Sequence, residues 1–274
     1  MDDFLSHPAV QGGVAPFVVA LVVALLLGPL RLGGLAALAG FLTAMYFVFG
    51  FQLTPLTATR KIMLLAIAAP VIGILADFAF KPTRFGAAIL ALAAAAAALW
   101  AFWPVLAQRP AAEAWVLGGS AALTLAFLVG FAQLYLAEDA VRAGAAALAL
   151  GLGTGVAAIL AATAAYGMLA IALAAGAGAF LLPQMIAGKK AFAGVTFTLT
   201  AMLVGGLIAA GAMILARLPW YSLLALALVP IGARLPVPRN APVWLQAVLL
   251  SLFGFIIGAA ACVSVWKFPD ASLG

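Results

Sequence analysis

Residues 143–186 read AGAAALALGLGTGVAAILAATAAYGMLAIALAAGAGAFLLPQMI, without one charged side chain. A single helix of that length would run about 65 Å. The hydrocarbon core of a bilayer is about 30 Å thick and takes about 20 apolar residues to cross. The stretch therefore reads as two spans, with the break expected at Tyr166-Gly167. It also decides the fold class. In lipid a continuous apolar run satisfies its backbone polar groups only as a helix. Strands of membrane barrels instead alternate polar and apolar residues in segments of about ten. The run Ile62 to Ala76 reads the same way.

Working outward, hydropathy and the punctuation by Gly, Pro and charge give ten such stretches. They fall near 12–30, 33–52, 61–80, 85–106, 114–136, 142–164, 167–187, 192–216, 220–234 and 243–266. The expected fold is an all-α integral membrane protein, a bundle of about ten transmembrane helices with short loops. Residues 1–274 form one polytopic domain, in which the helices would divide as five plus five near residue 140. The ninth stretch is short and carries Pro230, so it is expected to be tilted, interfacial or re-entrant. Length and helix number are similar to those of the drug/metabolite transporter superfamily, but no motif is matched and no family follows.

Composition agrees with that reading. Hydrophobic residues make up 68% of the chain and charged residues 7%, whereas a soluble domain carries roughly 25% charged residues. The acidic start Met1-Asp2-Asp3-Phe4 is not the basic n-region of a secretory signal, so the first helix is expected to stay. The net charge of +6 is scattered over many loops. It fits the positive-inside rule and anionic lipid headgroups rather than nucleic acid.

With the N-terminus outside, the inside loops hold Arg31, Lys81, Arg84, Arg142, Lys189, Lys190, Arg234 and Arg239. The outside loops hold Arg60, Lys61, Arg109, Arg217 and Lys267. Eight against five favours both termini outside. Trp100, Trp103, Trp115, Trp220, Trp244 and Trp266 all fall near expected helix ends, where tryptophan prefers the interface. The Ala, Gly, Leu and Arg usage suggests a bacterial inner membrane.

The shortage of ionisable groups excludes much chemistry. His7 is the sole histidine, so a bis-histidine haem site is not available. No zinc ligand set converges, no Ser–His–Asp triad lies in the membrane, and no phosphate-binding Gly-rich loop exists. Cys262 is alone and cannot form an internal disulfide. No cofactor, no metal and no enzymatic activity are expected.

Asp77 is the ionisable group expected within the membrane, and such a carboxylate is a candidate for proton or cation coupling. The bland alternative is an interfacial pair with Lys81, four residues on. In the expected topology Gln133, Gln184, Thr196 and Thr200 lie at similar depth to Asp77. These five side chains would line an inward-facing polar vestibule. Glu138, Asp139 and Arg142 form a candidate gate at its mouth, or simply a solvated helix start with Glu138 opposite Arg142. Pro70 and Pro183 mark candidate kinks. Gly151-x-x-x-Gly155 and Gly254-x-x-x-Gly258 would serve tight packing within the bundle, or a homodimer face.

Two functions fit. The preferred one is a small permease or exporter for an uncharged, apolar or zwitterionic solute, either a uniporter or proton-coupled through Asp77. The other is a non-catalytic anchoring or scaffolding subunit of a larger membrane complex. A water-accessible cavity reaching Asp77 or Gln133 favours the first, and dry packing favours the second.

Overall fold

The computed structural model describes residues 7–51, 54–80, 82–238 and 240–267. Among them are ten helices and no strand. They are α1 (Val10–Leu30), α2 (Gly33–Phe49), α3 (Ala58–Ala79), α4 (Arg84–Leu106) and α5 (Ala111–Tyr135). Then come α6 (Ala140–Leu160), α7 (Ala164–Ala187), α8 (Gly194–Leu215), α9 (Trp220–Gly232) and α10 (Val243–Lys267). Eight are long and apolar enough to cross a membrane, while α2 and α9 are shorter.

Local chemistry sets the helix ends. The Thr57 and Thr83 hydroxyls accept from the backbone N–H of Arg60 and Gly86, capping α3 and α4. The Asp139 carboxylate caps α6 in the same way. Gly50 and Gly188, both at positive φ, stop α2 and α7.

The long charge-free stretch does divide in two, but not at Tyr166-Gly167. The connection is residues 161–163, with Ala162 in the left-handed region at φ 64°. Gly167 belongs to α7, where its bareness serves packing. A Cβ there would collide with the Ile159 side chain and lie 3.1 Å from the Gly155 carbonyl oxygen.

Contacts between helix ends define two faces. On one, the Thr59 and Tyr166 hydroxyls pair at 3.2 Å, Arg109 reaches the Ile214 carbonyl, and Ser222 pairs with Ser264. These contacts join the start of α3 to that of α7, the α4/α5 connection to the end of α8, and the start of α9 to the end of α10. On the other, Asp77 meets the start of α8, Asp139 meets Lys190, and Arg142 reaches the carbonyls of Ala233 and Leu235. Arg31 lies over the Phe192 ring on that face too. The helices thus alternate in direction, and the described chain begins and ends on the same face, here called the terminal face. Of the six tryptophans, only Trp244 starts a helix from the opposite face. All six stand partly exposed near helix ends.

The core is built around α8. It packs against α3, α5, α6 and α7 and is buried on every side. Small residues allow the close approaches. A Cβ on Gly151 would lie 2.8 Å from the Ala170 carbonyl oxygen and the Ala174 nitrogen of α7. One on Gly254 would lie 2.5 Å from the Ala149 Cβ of α6, and Gly258 sits against Gly153. Both small-xxx-small motifs are therefore used inside the molecule. Gly151→Leu is expected to destabilise the monomer by about 3 kcal/mol through overpacking against backbone. Melting in mild detergent alongside size-exclusion would check this. A changed oligomeric state with an unchanged melting point would contradict it.

Candidate functional site

The polar residues singled out in the sequence do converge, and the point of convergence is the N-terminus of α8. A helix start leaves backbone N–H groups without intrahelical acceptors. Nothing local caps α8, since Ala193 has no suitable side chain. The caps come from elsewhere in the chain. The Gly194 N–H donates to the Ala137 carbonyl at 3.2 Å. The Val195 N–H donates to Asp77 Oδ1 at 2.7 Å, and the Thr196 N–H to Asp77 Oδ2 at 2.8 Å. The Thr196 hydroxyl adds a bond to Oδ2 at 2.6 Å. Asp77, at the end of α3, thus acts as the N-cap of a helix more than a hundred residues away. A carboxylate suits the place, because the helix dipole is positive there.

Two glycines make room for this contact. Gly73 lies four residues before Asp77 and so shares its face of α3. A Cβ on Gly73 would come within 2.5 Å of Thr196 Cα and 2.8 Å of Thr196 N, both backbone atoms. Gly194 takes φ 61°, and a Cβ on it would press into both Asp77 carboxylate oxygens. Neither glycine was singled out from sequence. The spacing Gly73-x-x-x-Asp77 is the signal that could have found the first.

The remaining polar groups are tied in alongside. Gln133 Nε2 donates to Thr198 Oγ1 at 3.0 Å, and that hydroxyl donates to the Gly194 carbonyl at 2.7 Å. Thr200 donates back to the Thr196 carbonyl. Buried Gln184 bridges the Phe180 carbonyl and the Ala191 N–H, fastening the α7/α8 connection. Asp77, Gln133, Thr196 and Thr200 lie together at the start of α8, with Thr198 in addition. Hydrogen bonds join them into a plug there, and Gln184 is turned to its own loop. The alternative partner for Asp77, Lys81, lies outside the described residues.

Beside the plug, Asp139 and Arg142 hold three connections together. Asp139 Oδ2 accepts from Lys190 Nζ at 2.8 Å and lies 3.7 Å from Arg142 Nε. Arg142 Nη1 donates to the Ala233 carbonyl at 2.5 Å and the Leu235 carbonyl at 3.3 Å. The α5/α6, α7/α8 and α9/α10 connections are so joined. Glu138 is exposed, and the expected pairing of Arg142 with Glu138 is replaced by Asp139. The reason is that Asp139, as N-cap, already lies beside the first turn that carries Arg142. Lys190→Ala is expected to cost less than about 0.5 kcal/mol, because the pair is largely exposed. Arg142→Met is expected to cost about 1.5 kcal/mol, because two carbonyls lose a charged donor. Melting of the two variants would check the order.

Two depressions lie on the terminal face. One, of about 330 Å3, is lined by Lys61, Leu99, Trp100 and Trp103. The other, of about 410 Å3, lies between residues 161–163 and 215–217. Among the described residues no group of three His, Cys, Asp or Glu side chains is placed to hold a metal ion. No family model matches the chain, and no curated protein matches it.

Proposed function

We propose that the protein is a non-catalytic, multi-pass subunit that anchors or scaffolds a larger assembly in a bacterial inner membrane. One observation carries the reading. Asp77, Gln133, Thr196 and Thr198 are spent on holding the start of α8, a helix buried on every side. Close packing of this kind suits a structural element. The basic residues of the loops assigned to the inside in the sequence outnumber those of the outside loops, which supports both termini outside. The test is native mass spectrometry after extraction at native abundance in a mild detergent. A stoichiometric membrane partner is the expected result. A protein that runs alone and carries solute flux when reconstituted by itself would overturn the reading.

The Asp139–Arg142–Lys190 contacts favour a second reading, a small-solute permease or exporter coupled to protons through Asp77. They join three connections at one face, as a closed gate would. In proteoliposomes, pH-dependent flux that is lost in Asp77→Asn while the fold persists would support it. Flux unaffected by that change would sink the coupling role.

A further inference from the structure

We propose that Lys61, with Leu99, Trp100 and Trp103, forms a binding site for the phosphate of an anionic phospholipid on the terminal face.

The starting point is Pro104 in α4. Proline has no N–H, so the carbonyl four residues earlier, that of Trp100, loses its intrahelical donor. Lys61 reaches across from the first turn of α3 and supplies one, with Nζ 2.8 Å from the Trp100 oxygen. Nζ also lies 4.7 Å from the centroid of the Trp100 ring. Only 8% of Lys61 is exposed. The hydropathy reading puts Lys61 at the boundary between the outside loop and the third stretch.

These contacts orient the ammonium but do not neutralise it. A carbonyl and a ring face are neutral partners. Among the described residues no carboxylate lies within 4 Å of Lys61, and Glu113 on the same face is held by Arg109. An ammonium has three N–H donors, and Lys61 makes one hydrogen bond among the described residues. A charge left in an apolar setting without a counter-ion is costly. The depression beside it supplies room for one. Trp103 is 65% exposed and Trp100 45%, so the walls are apolar and open to the bilayer. Tryptophan at a helix end marks the headgroup level. A diacyl phosphodiester fits both halves of this site, with its phosphate at Lys61 and its chains along Leu99 and Trp103. A free phosphate ion would use only the first half.

The experiment uses the full chain in a nonionic detergent, with phosphatidylglycerol or phosphatidylcholine added. Native mass spectrometry counts retained lipid, and melting read at Cys262 shows that each variant is folded. Lys61→Met removes the charge and keeps the stem. Leu99→Glu keeps Lys61 and offers it an internal carboxylate, so it tests the site even if the first variant does not fold. The expected result is preferential retention of phosphatidylglycerol by the native chain, reduced about fivefold in either variant. Equal retention of the two lipids, or equal retention by native chain and folded variants, would overturn the site. Displacement of the lipid by millimolar inorganic phosphate would overturn its assignment to a lipid.

Discussion

Asp77→Ala is expected to lower the stability of the bundle by about 2 kcal/mol, the largest loss from any single polar side chain. Three donors on α8 lose their acceptor together: two backbone N–H groups and the Thr196 hydroxyl. Hydrogen bonds to a charged group are worth about 1.5–3 kcal/mol each. The sum is not reached here, because Asp77 is only half-buried and water can replace part of the loss. Asp77→Asn keeps an acceptor oxygen and is expected to cost about half as much, by the loss of charge at a helix start. Melting in mild detergent, read by a thiol-reactive dye at Cys262, would rank the three proteins. Native stability in Asp77→Ala would mean that the α8 start is held by something else.

Gly73→Ala is expected to be worse, at about 3 kcal/mol, although it adds a single methyl group. The added carbon meets the Thr196 backbone, and no rotamer change can relieve that. Either α3 moves away from α8 or the first turn of α8 unwinds, and both break the Asp77 contacts. The two substitutions should therefore not add. A double variant is expected to fall short of the sum by about 1 kcal/mol or more, as for residues sharing one interface. Gly119→Ala is the control, since nothing lies within 4 Å of a Cβ there. It is expected to be neutral or to stabilise α5 by up to about 1 kcal/mol. Equal effects of the two glycine substitutions would contradict the close contact of α3 with α8.

The number and alternation of the helices were legible because each span is written continuously in the chain. Hydropathy reports local environment, and ten apolar runs separated by Gly, Pro and charge leave little choice. Depth was legible too. Once directions alternate, Asp77, Gln133 and Thr196 must lie near one face. What they do there was not legible, because it depends on surfaces meeting across more than a hundred residues. Asp77 looks alike in sequence whether it faces water, Lys81 or a helix start. The choice rests on Gly73 letting two backbones touch, and the absence of a Cβ leaves no mark in a hydropathy profile. Gly167 misled for a related reason, since a glycine that permits packing looks like one that breaks a helix. The bond from Lys61 to Trp100 is not legible in the sequence, because its acceptor is a backbone carbonyl released by Pro104, a partner with no side-chain signature.

The plug has a consequence for function that does not depend on naming a solute. Asp77 and Gln133 are half-buried, but if the start of α8 is held as described, water does not reach Thr198 in the folded protein. Thr198→Cys in a Cys262→Ser background tests this most directly, since Thr198 lies fully buried between Gln133 and the Gly194 carbonyl. The measurement is labelling by a membrane-impermeant methanethiosulfonate reagent in native membranes, from each side in turn. The predicted result is no labelling from either side until the protein is unfolded in detergent. Labelling of the folded protein from one side would reveal an aqueous path to the start of α8 and would contradict the account.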